Sequence, residues 1–279
     1  MKTWLITGAS RGMGRVWAEA ALLRGDNVAA IARTTTDFKE LSARFGDKIL
    51  PLAMDVSHPE QVAAGVAQAH QHFGQLDIVI NNAGYPLVAT IEEASDDEIR
   101  ALYDTNILGT VRVIRAVLPI LRKQGHGHII GVSSTLALQS MPLIGFYASS
   151  KWAFEAIHES LALEVAPFGL KVSIIEPGAY ATDFGGPQSG KHGTAMPEYA
   201  PVREHVFGMM RTMQRAEPAA TADAVLKLVD AEQPPLRLIL GSEGVPHAHQ
   251  VYARRLAEWD AWEEVSASAQ GQSTTAAGH

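Results

Sequence analysis

The sequence predicts an α/β fold, a doubly wound parallel sheet of about seven strands with helices on both faces. Three observations carry that expectation. Short runs rich in β-branched residues alternate with stretches of helical periodicity through most of the chain, which is the pattern of repeated strand–helix–strand units. The runs themselves are nearly continuous in apolar residues, as in Val79-Ile80, Ile129-Ile130-Gly131-Val132 and Val172-Ser173-Ile174-Ile175, as strands covered on both faces must be. A glycine-rich turn follows the first run directly, at the place where such folds receive phosphate-bearing ligands.

Taken in order, strands are expected at 3–7, 27–32, 49–53, 77–81, 127–133, 170–176 and 236–240. Between them, Ser57-x-x-Glu60 and Ser95-x-x-Glu98 each place a hydroxyl three residues ahead of a glutamate, so helices are expected to start there behind capping boxes. Over 179–217 the alternation stops, and Gly, Pro, Met, His and aromatic residues replace any clean period. Unstructured segments of that length are uncommon and usually functional, and this one is read as a substrate lid. A helix is expected over 219–231 and another over 246–264, where Tyr252, Leu256, Trp259 and Trp262 recur at helical spacing. Residues 1–265 thus read as a single domain. The last stretch, 266–279, is mostly Ser, Ala, Gln and Thr without bulky apolar residues, and reads as a mobile tail.

With 279 residues the chain is long enough to bury a sizeable core. Its net charge of −7 and the lack of a basic stripe argue against a nucleic-acid partner. The absence of cysteine removes disulfides, thiol nucleophiles and thiolate metal sites together. The first apolar run is too short for a signal peptide or a membrane span, so a cytoplasmic location without membrane association is expected. His247-x-His249 has no carboxylate or thiol partner in sequence and reads as surface histidines, with no metal site. The Met209-Met210-x-x-Met213 cluster reads as lid packing.

The turn is Thr7-Gly8-Ala9-Ser10-Arg11-Gly12-Met13-Gly14. Glycines there allow a tight bend and let the backbone approach a pyrophosphate, which lies over the helix N-terminus and its partial positive charge. The spacing Gly-x3-Gly-x-Gly of Gly8, Gly12 and Gly14, with Asp55, Asn81-Asn82-Ala83-Gly84 and Pro177-Gly178 followed by Thr182, resembles the short-chain dehydrogenase/reductase family over roughly residues 3–182. That resemblance implies a Rossmann-type sheet and a dinucleotide held by Gly8, Ser10, Arg11, Gly12, Met13, Gly14, Asp55, Val56, Asn82, Ala83, Gly84, Pro177, Gly178 and Thr182. The second strand ends Ile31-Ala32-Arg33. An acid at that point would accept from the ribose hydroxyls of NAD, whereas an arginine accommodates the extra phosphate of NADP. Arg33, with Arg11 in the turn, therefore predicts NADP(H) in preference to NAD(H).

Tyr147-Ala148-Ser149-Ser150-Lys151 places a phenol and an ammonium four residues apart on one helix face. The positive charge is expected to lower the phenol's proton affinity, so that Tyr147 becomes a usable acid or base. Ser134, thirteen residues earlier at the end of the fifth strand, and Asn106 match the family's catalytic serine and its water-holding asparagine. Alternation along the strand should turn the neighbouring Ser133 the other way. The implied reaction is hydride transfer between nicotinamide and a carbonyl carbon. Tyr147 would move the proton, Ser134 would orient the oxygen, and Lys151 would lower the phenol's pKa and bind the nicotinamide ribose.

Met141, Leu143, Phe146, Tyr180 and Phe184 are expected to line an apolar substrate pocket, favouring neutral hydrophobic or aryl ketones over keto acids. Lys191, Arg203 and Arg211 read as solvated cations. An acyl-thioester ketoacyl reductase is the rival enzyme; its acidic carrier would need a basic docking face, and this chain is acidic. A dinucleotide sensor without chemistry is the rival from another class, and the full set of Asn106, Ser134, Tyr147 and Lys151 speaks against it. The helices expected near 108–123 and 147–166 resemble those through which the family dimerises, so a homodimer is expected, with a homotetramer as the alternative.

Overall fold

In the computed structural model, which describes residues 1–185 and 190–271, the strands are β1 (Thr3–Thr7), β2 (Asn27–Ala32), β3 (Ile49–Ala53), β4 (Ile78–Asn81), β5 (Leu87–Val88), β6 (Gly127–Val132), β7 (Leu170–Pro177), β8 (Lys191–His192) and β9 (Arg237–Leu240). The helices are α1 (Gly12–Leu23), α2 (Lys39–Phe45), α3 (Pro59–Phe73), α4 (Asp96–Tyr103), α5 (Thr110–Gln124), α6 (Gly145–Val165), α7 (Ala200–Thr212), α8 (Thr221–Asp230), α9 (Gly244–Ala261) and α10 (Glu263–Ser268). Seven strands form one parallel sheet in the order β3-β2-β1-β4-β6-β7-β9. This is the Rossmann-type arrangement, and the order reverses between β1 and β4. The crevice at such a switch point is where these sheets bind ligands.

Alternation along the buried strands builds two cores from one sheet. Trp4, Ile6, Ile78, Ile80 and Ile130 face α1 and α8, while Leu5, Val79 and Ile129 face α3 and α5. Each such side chain, fully removed from water, contributes about 1.5–3 kcal/mol. Trp17 adds a polar tie, its indole N–H donating to Thr221 Oγ1 at 2.8 Å and so fastening α1 to α8.

All seven expected strands form, with shifts of one residue at some ends. The capping boxes divide. Ser95 accepts from Glu98 N and the Glu98 carboxylate accepts from Ser95 N. Ser57 instead gives its hydroxyl and its N–H to Asp55 Oδ1, at 2.7 and 2.9 Å, and α3 starts at Pro59 without a side-chain cap. The carboxylate two residues upstream captures the serine that sequence spacing assigned to the helix.

Residues 186–189 of the expected lid lie outside the described residues; in its described part the segment 179–217 is more ordered than its lack of period implied. It carries β8, paired with β5, and the whole of α7. Arg203, expected to be solvated, is ion-paired with the buried carboxylate of Glu93, which also accepts from Met196 N. At the far end, Ala181 N donates to Ala216 O and Ala216 N to Ala179 O, both at 2.9 Å. The segment is therefore pinned at both margins. The terminal helix breaks at Trp262, and Ser266–Ser268, expected in the tail, close α10. Residues 272–279 of that expected tail lie outside the described residues. Among the described residues no helix is long and apolar enough to cross a membrane.

Candidate active site

A cleft of about 1960 Å³ opens along the carboxyl edge of the sheet. Its floor at one end is the glycine turn. Thr7 Oγ1 accepts from Asn82 N and Ala83 N at 2.9 and 3.0 Å, and Asn82 Nδ2 donates to Thr7 O and Gly8 O at 2.9 and 3.0 Å. The motif after β4 thus holds the turn after β1 in place. Gly8 and Gly12 have φ of +66° and +56°, a region that residues with a Cβ rarely adopt. A Cβ at Gly14 would meet Gly8 O at 2.5 Å. The first turn of α1 has no side-chain cap, so its N–H groups face the cleft as an anion site. Ser10, Arg11, Met13, Ala83, Gly84 and Thr182 line the same end, and Thr182 also packs on Gly12.

Arg33 is exposed on the rim where β2 ends, beside Asp55 and Val56. Burial works against the Asp55 carboxylate, but two hydrogen bonds from Ser57, with His58 and Arg33 nearby, leave its pKa below the usual range. A cation and a fixed anion therefore stand side by side there.

At the other end, Tyr147 and Lys151 share one face of α6 and are almost fully buried. Burial drives the Tyr147 phenol well above its ordinary pKa, and a hydrogen bond with Ser134 opposes this only in part. Lys151 Nζ lies 5.8 Å from the Tyr147 ring centroid and donates to Val132 O at 2.7 Å. Burial brings its pKa down to about 8, against the opposing charge of Glu155. Desolvation rather than the ammonium dominates the phenol, which departs from the expectation that Lys151 lowers it. The phenol is thus held protonated at neutral pH, as a proton donor to a carbonyl oxygen must be.

Ser134 lies two residues beyond β6, its hydroxyl accepting from Leu136 N at 3.1 Å. Ser133 turns away, as alternation requires, and donates to Glu155 at 2.6 Å. Asn106 lies in a π-helical turn, residues 104–109, joining α4 to α5, an irregularity that recurs at functional sites. Its amide accepts from Tyr85 N at 3.1 Å and donates to Tyr85 O and Ser150 Oγ at 3.0 and 3.1 Å. The side chain is thereby committed to the loop after Gly84, leaving any water contact to its backbone.

Met141, Leu143, Tyr180 and Phe184 line the cleft, with Pro177 and Gly178. Leu143 is the sole non-glycine residue among those described with a left-handed φ, +67°, a strained conformation in the cleft lining. Phe146 does not line the cleft. It packs against the small cluster of Leu87, Ala89 and Leu102, because α6 begins at Gly145 and sends adjacent residues to different sides. Sequence reasoning missed Leu136, Gln139, Val206, Phe207 and Met213, which also line the cleft; the methionine cluster was the signal for the last. His247 lies on the rim, and no group of three His, Asp or Glu among the described residues could hold a metal.

Residues 2–192 match the family model for short chain dehydrogenases. The chain is 38% identical over 268 residues to an oxidoreductase of Botryotinia fuckeliana, covering 95% of this chain and 98% of that protein. It is 33% identical to a protein of Bacteroides thetaiotaomicron named 3-ketodihydrosphingosine reductase, covering 85% and 87%. A solved short-chain dehydrogenase from Streptomyces avermitilis superposes with a TM-score of 0.88 at 37% identity, over 96% of this chain and 98% of that one. An alcohol dehydrogenase from Thermococcus sibiricus, solved with 5-hydroxy-NADP, does so at 0.72 and 27%, over 86% and 96%. A glycine turn clamped by Asn82, a half-buried serine beside a buried tyrosine and lysine on one cleft wall, and relatives matching almost end to end lead to one conclusion: this chain is an oxidoreductase of the short-chain dehydrogenase family.

Proposed function

We propose that the protein is an NADP(H)-dependent carbonyl reductase, interconverting a neutral hydrophobic or aryl ketone or aldehyde and its alcohol. The observation that carries this reading is the convergence of Ser134, Tyr147 and Lys151 at one end of a cleft whose other end is a glycine cradle and an uncapped helix N-terminus. The cradle fits a dinucleotide: its positive φ glycines and the lack of room for a Cβ at Gly14 leave backbone N–H groups bare for a pyrophosphate. Gly8, Ser10, Gly12 and Met13 would hold that group, Arg33 and Arg11 a 2′-phosphate, Asp55 and Val56 the adenine end, and Lys151 with Pro177, Gly178 and Thr182 the nicotinamide end. When bound, the cofactor supplies or accepts the hydride. Ser134 Oγ orients the substrate oxygen, and Tyr147 Oη donates its proton to that oxygen during reduction or takes it back during oxidation. Lys151 stabilises the phenolate left behind. The Thermococcus alcohol dehydrogenase solved with 5-hydroxy-NADP supports the cofactor reading, and the relative named 3-ketodihydrosphingosine reductase supports a carbonyl substrate.

The test is nicotinamide absorbance followed with NADPH and with NADH across a panel of aryl, aliphatic and keto-acid substrates. We expect kcat/KM to favour NADPH by about tenfold or more, as a charge-assisted phosphate contact gives, and Arg33→Asp to reverse the preference. Neutral aryl ketones should outrank small keto acids. Equal efficiency with both cofactors, or the opposite substrate ranking, overturns the respective part.

Self-association belongs to the same reading. α9 leaves Tyr252, Leu256 and Trp259 exposed, with Trp262 exposed at its end, more aromatic surface in one stripe than a solvated helix needs. We expect light scattering at micromolar concentration to return a homodimer, or a homotetramer as the other closed assembly; a single-chain mass refutes it.

A further inference from the structure

Behind the reaction centre, the ends of β6, β7 and β9 converge on a buried ionic cluster that the proposed proton transfer does not use. Glu155, one helical turn beyond Lys151 on α6, accepts from Ser133 Oγ at 2.6 Å through Oε1 and from Arg237 Nε at 3.2 Å through Oε2. Glu176 stands immediately before Pro177. Its side chain is completely buried, Oε1 is 3.5 Å from Arg237 Nε, and neither carboxylate oxygen has a hydrogen-bond donor when both glutamates are ionised. Its remaining neighbour at bonding range is Glu155. The other charged or titratable groups on the packed elements are Lys151, His158 and Glu159 on α6, Arg237 on β9, and His128 on β6, which is committed to Ser173. Arg237 is divided among three carboxylates, since its Nη2 donates to Glu159 at 2.7 Å.

Two carboxylates in contact away from water do not both ionise. A single proton between them turns an unsatisfied contact into an O–H···O⁻ hydrogen bond and supplies the partner Glu176 lacks. We propose that Glu155 and Glu176 share one proton and act as a positioning pair, in which Glu155, anionic against Arg237, keeps the Lys151 ammonium charged and Ser133 fixed beside Ser134, while Glu176 carries the proton. Burial, reinforced by Glu155 and opposed by Arg237, pushes Glu176 up to about 7. Glu155 is also the group that opposes the lowering of Lys151 by burial. The pair joins three parts of the site: the end of β6 with Ser134, the helix that carries Lys151, and the strand that leads into Pro177-Gly178.

The kinetic half of this inference rests on the proposed reductase reading; the stability half does not. Glu155→Gln removes the anion but keeps the shape. In carbonyl reduction, where Lys151 must be charged, the high-pH limb of kcat should move to lower pH by about one unit, with NADPH affinity unchanged at a pH where Lys151 is protonated in both proteins. Glu176→Gln keeps a donor toward Glu155, and its limb should stay in place with turnover retained within a few-fold. A merely structural role would lower the melting temperature of both and move neither limb. An unmoved limb in Glu155→Gln, or the same shift in both variants, overturns the positioning role.

Melting against pH tests the shared proton directly, whether or not Glu155→Gln folds and whether or not any ketone is turned over. A carboxyl at about 7 in the folded chain against 4.5 in the unfolded chain binds its proton more tightly when folded. Its stabilisation is complete below 4.5 and is lost as pH rises through 7. The melting temperature of the unmodified protein relative to Glu176→Gln should therefore fall between about pH 5 and about pH 8. A difference that does not change with pH overturns the pair.

Discussion

Tyr147→Phe should lower turnover by about 10³-fold, within the range that a positioned acid contributes, while the dissociation constant for NADPH stays the same. The substitution removes one oxygen from a side chain that is 4% exposed. The ring contact with Phe184, 5.6 Å between centroids, and the packing against Lys151 remain available to phenylalanine. What disappears is the hydroxyl beside Ser134, the group proposed to hand a proton to the substrate oxygen. Because burial already holds that phenol protonated, its loss should be felt most in the reductive direction. Single-turnover reduction followed by nicotinamide absorbance, beside fluorescence titration of NADPH, separates the two effects. Turnover within tenfold of the unmodified protein would remove Tyr147 from the proton path, and a large rise in the NADPH dissociation constant would make it a binding residue instead.

The parts of this molecule that were legible in advance are those in which a local pattern meets no competitor. The strands of the sheet are covered on both sides, so Val79-Ile80 or Ile174-Ile175 could be nothing but central strands. The Tyr147–Lys151 spacing works because helix geometry alone puts the two groups on one face. α7 was illegible for the opposite reason: Val206 is its single buried residue, and Met209 and Met210 look into the cleft rather than the core, so no apolar period marks it. The pairing of Leu87–Val88 with Lys191–His192 is two residues long and stands in a small sheet of its own, too short for any alternation to show in the sequence. Ser57 shows a local rule defeated by a nearer acceptor, Asp55. The Glu155–Glu176–Arg237 cluster leaves no trace in sequence, because three charges from three distant elements meet through the order of strands β6, β7 and β9.

The glycine turn yields the sharpest contrast between local propensity and tertiary contact. Gly14 lies inside α1 with a φ that alanine accepts, and helix propensity alone favours Gly14→Ala by about 1 kcal/mol. The surroundings oppose it. The added methyl would stand 2.5 Å from Gly8 O and 2.6 Å from Asn82 Nδ2, and neither can move freely: Asn82 Nδ2 is itself bonded to Thr7 O and Gly8 O. Separating these atoms to van der Waals distance means breaking the clamp between the turn and the strand beside it, at about 1–3 kcal/mol for each buried group left unpaired. The overlap therefore outweighs the propensity. Gly14→Ala should lower the melting temperature and weaken NADPH binding by roughly 100-fold, equivalent to about 3 kcal/mol. Gly208→Ala is the matched control, since that glycine is also helical but has nothing within 4 Å of its Cβ position; it should be neutral or slightly stabilising, with binding unchanged. Titration of NADPH and thermal melts of both variants decide the matter: if Gly14→Ala binds NADPH as the unmodified protein does, the turn after β1 is not the dinucleotide cradle.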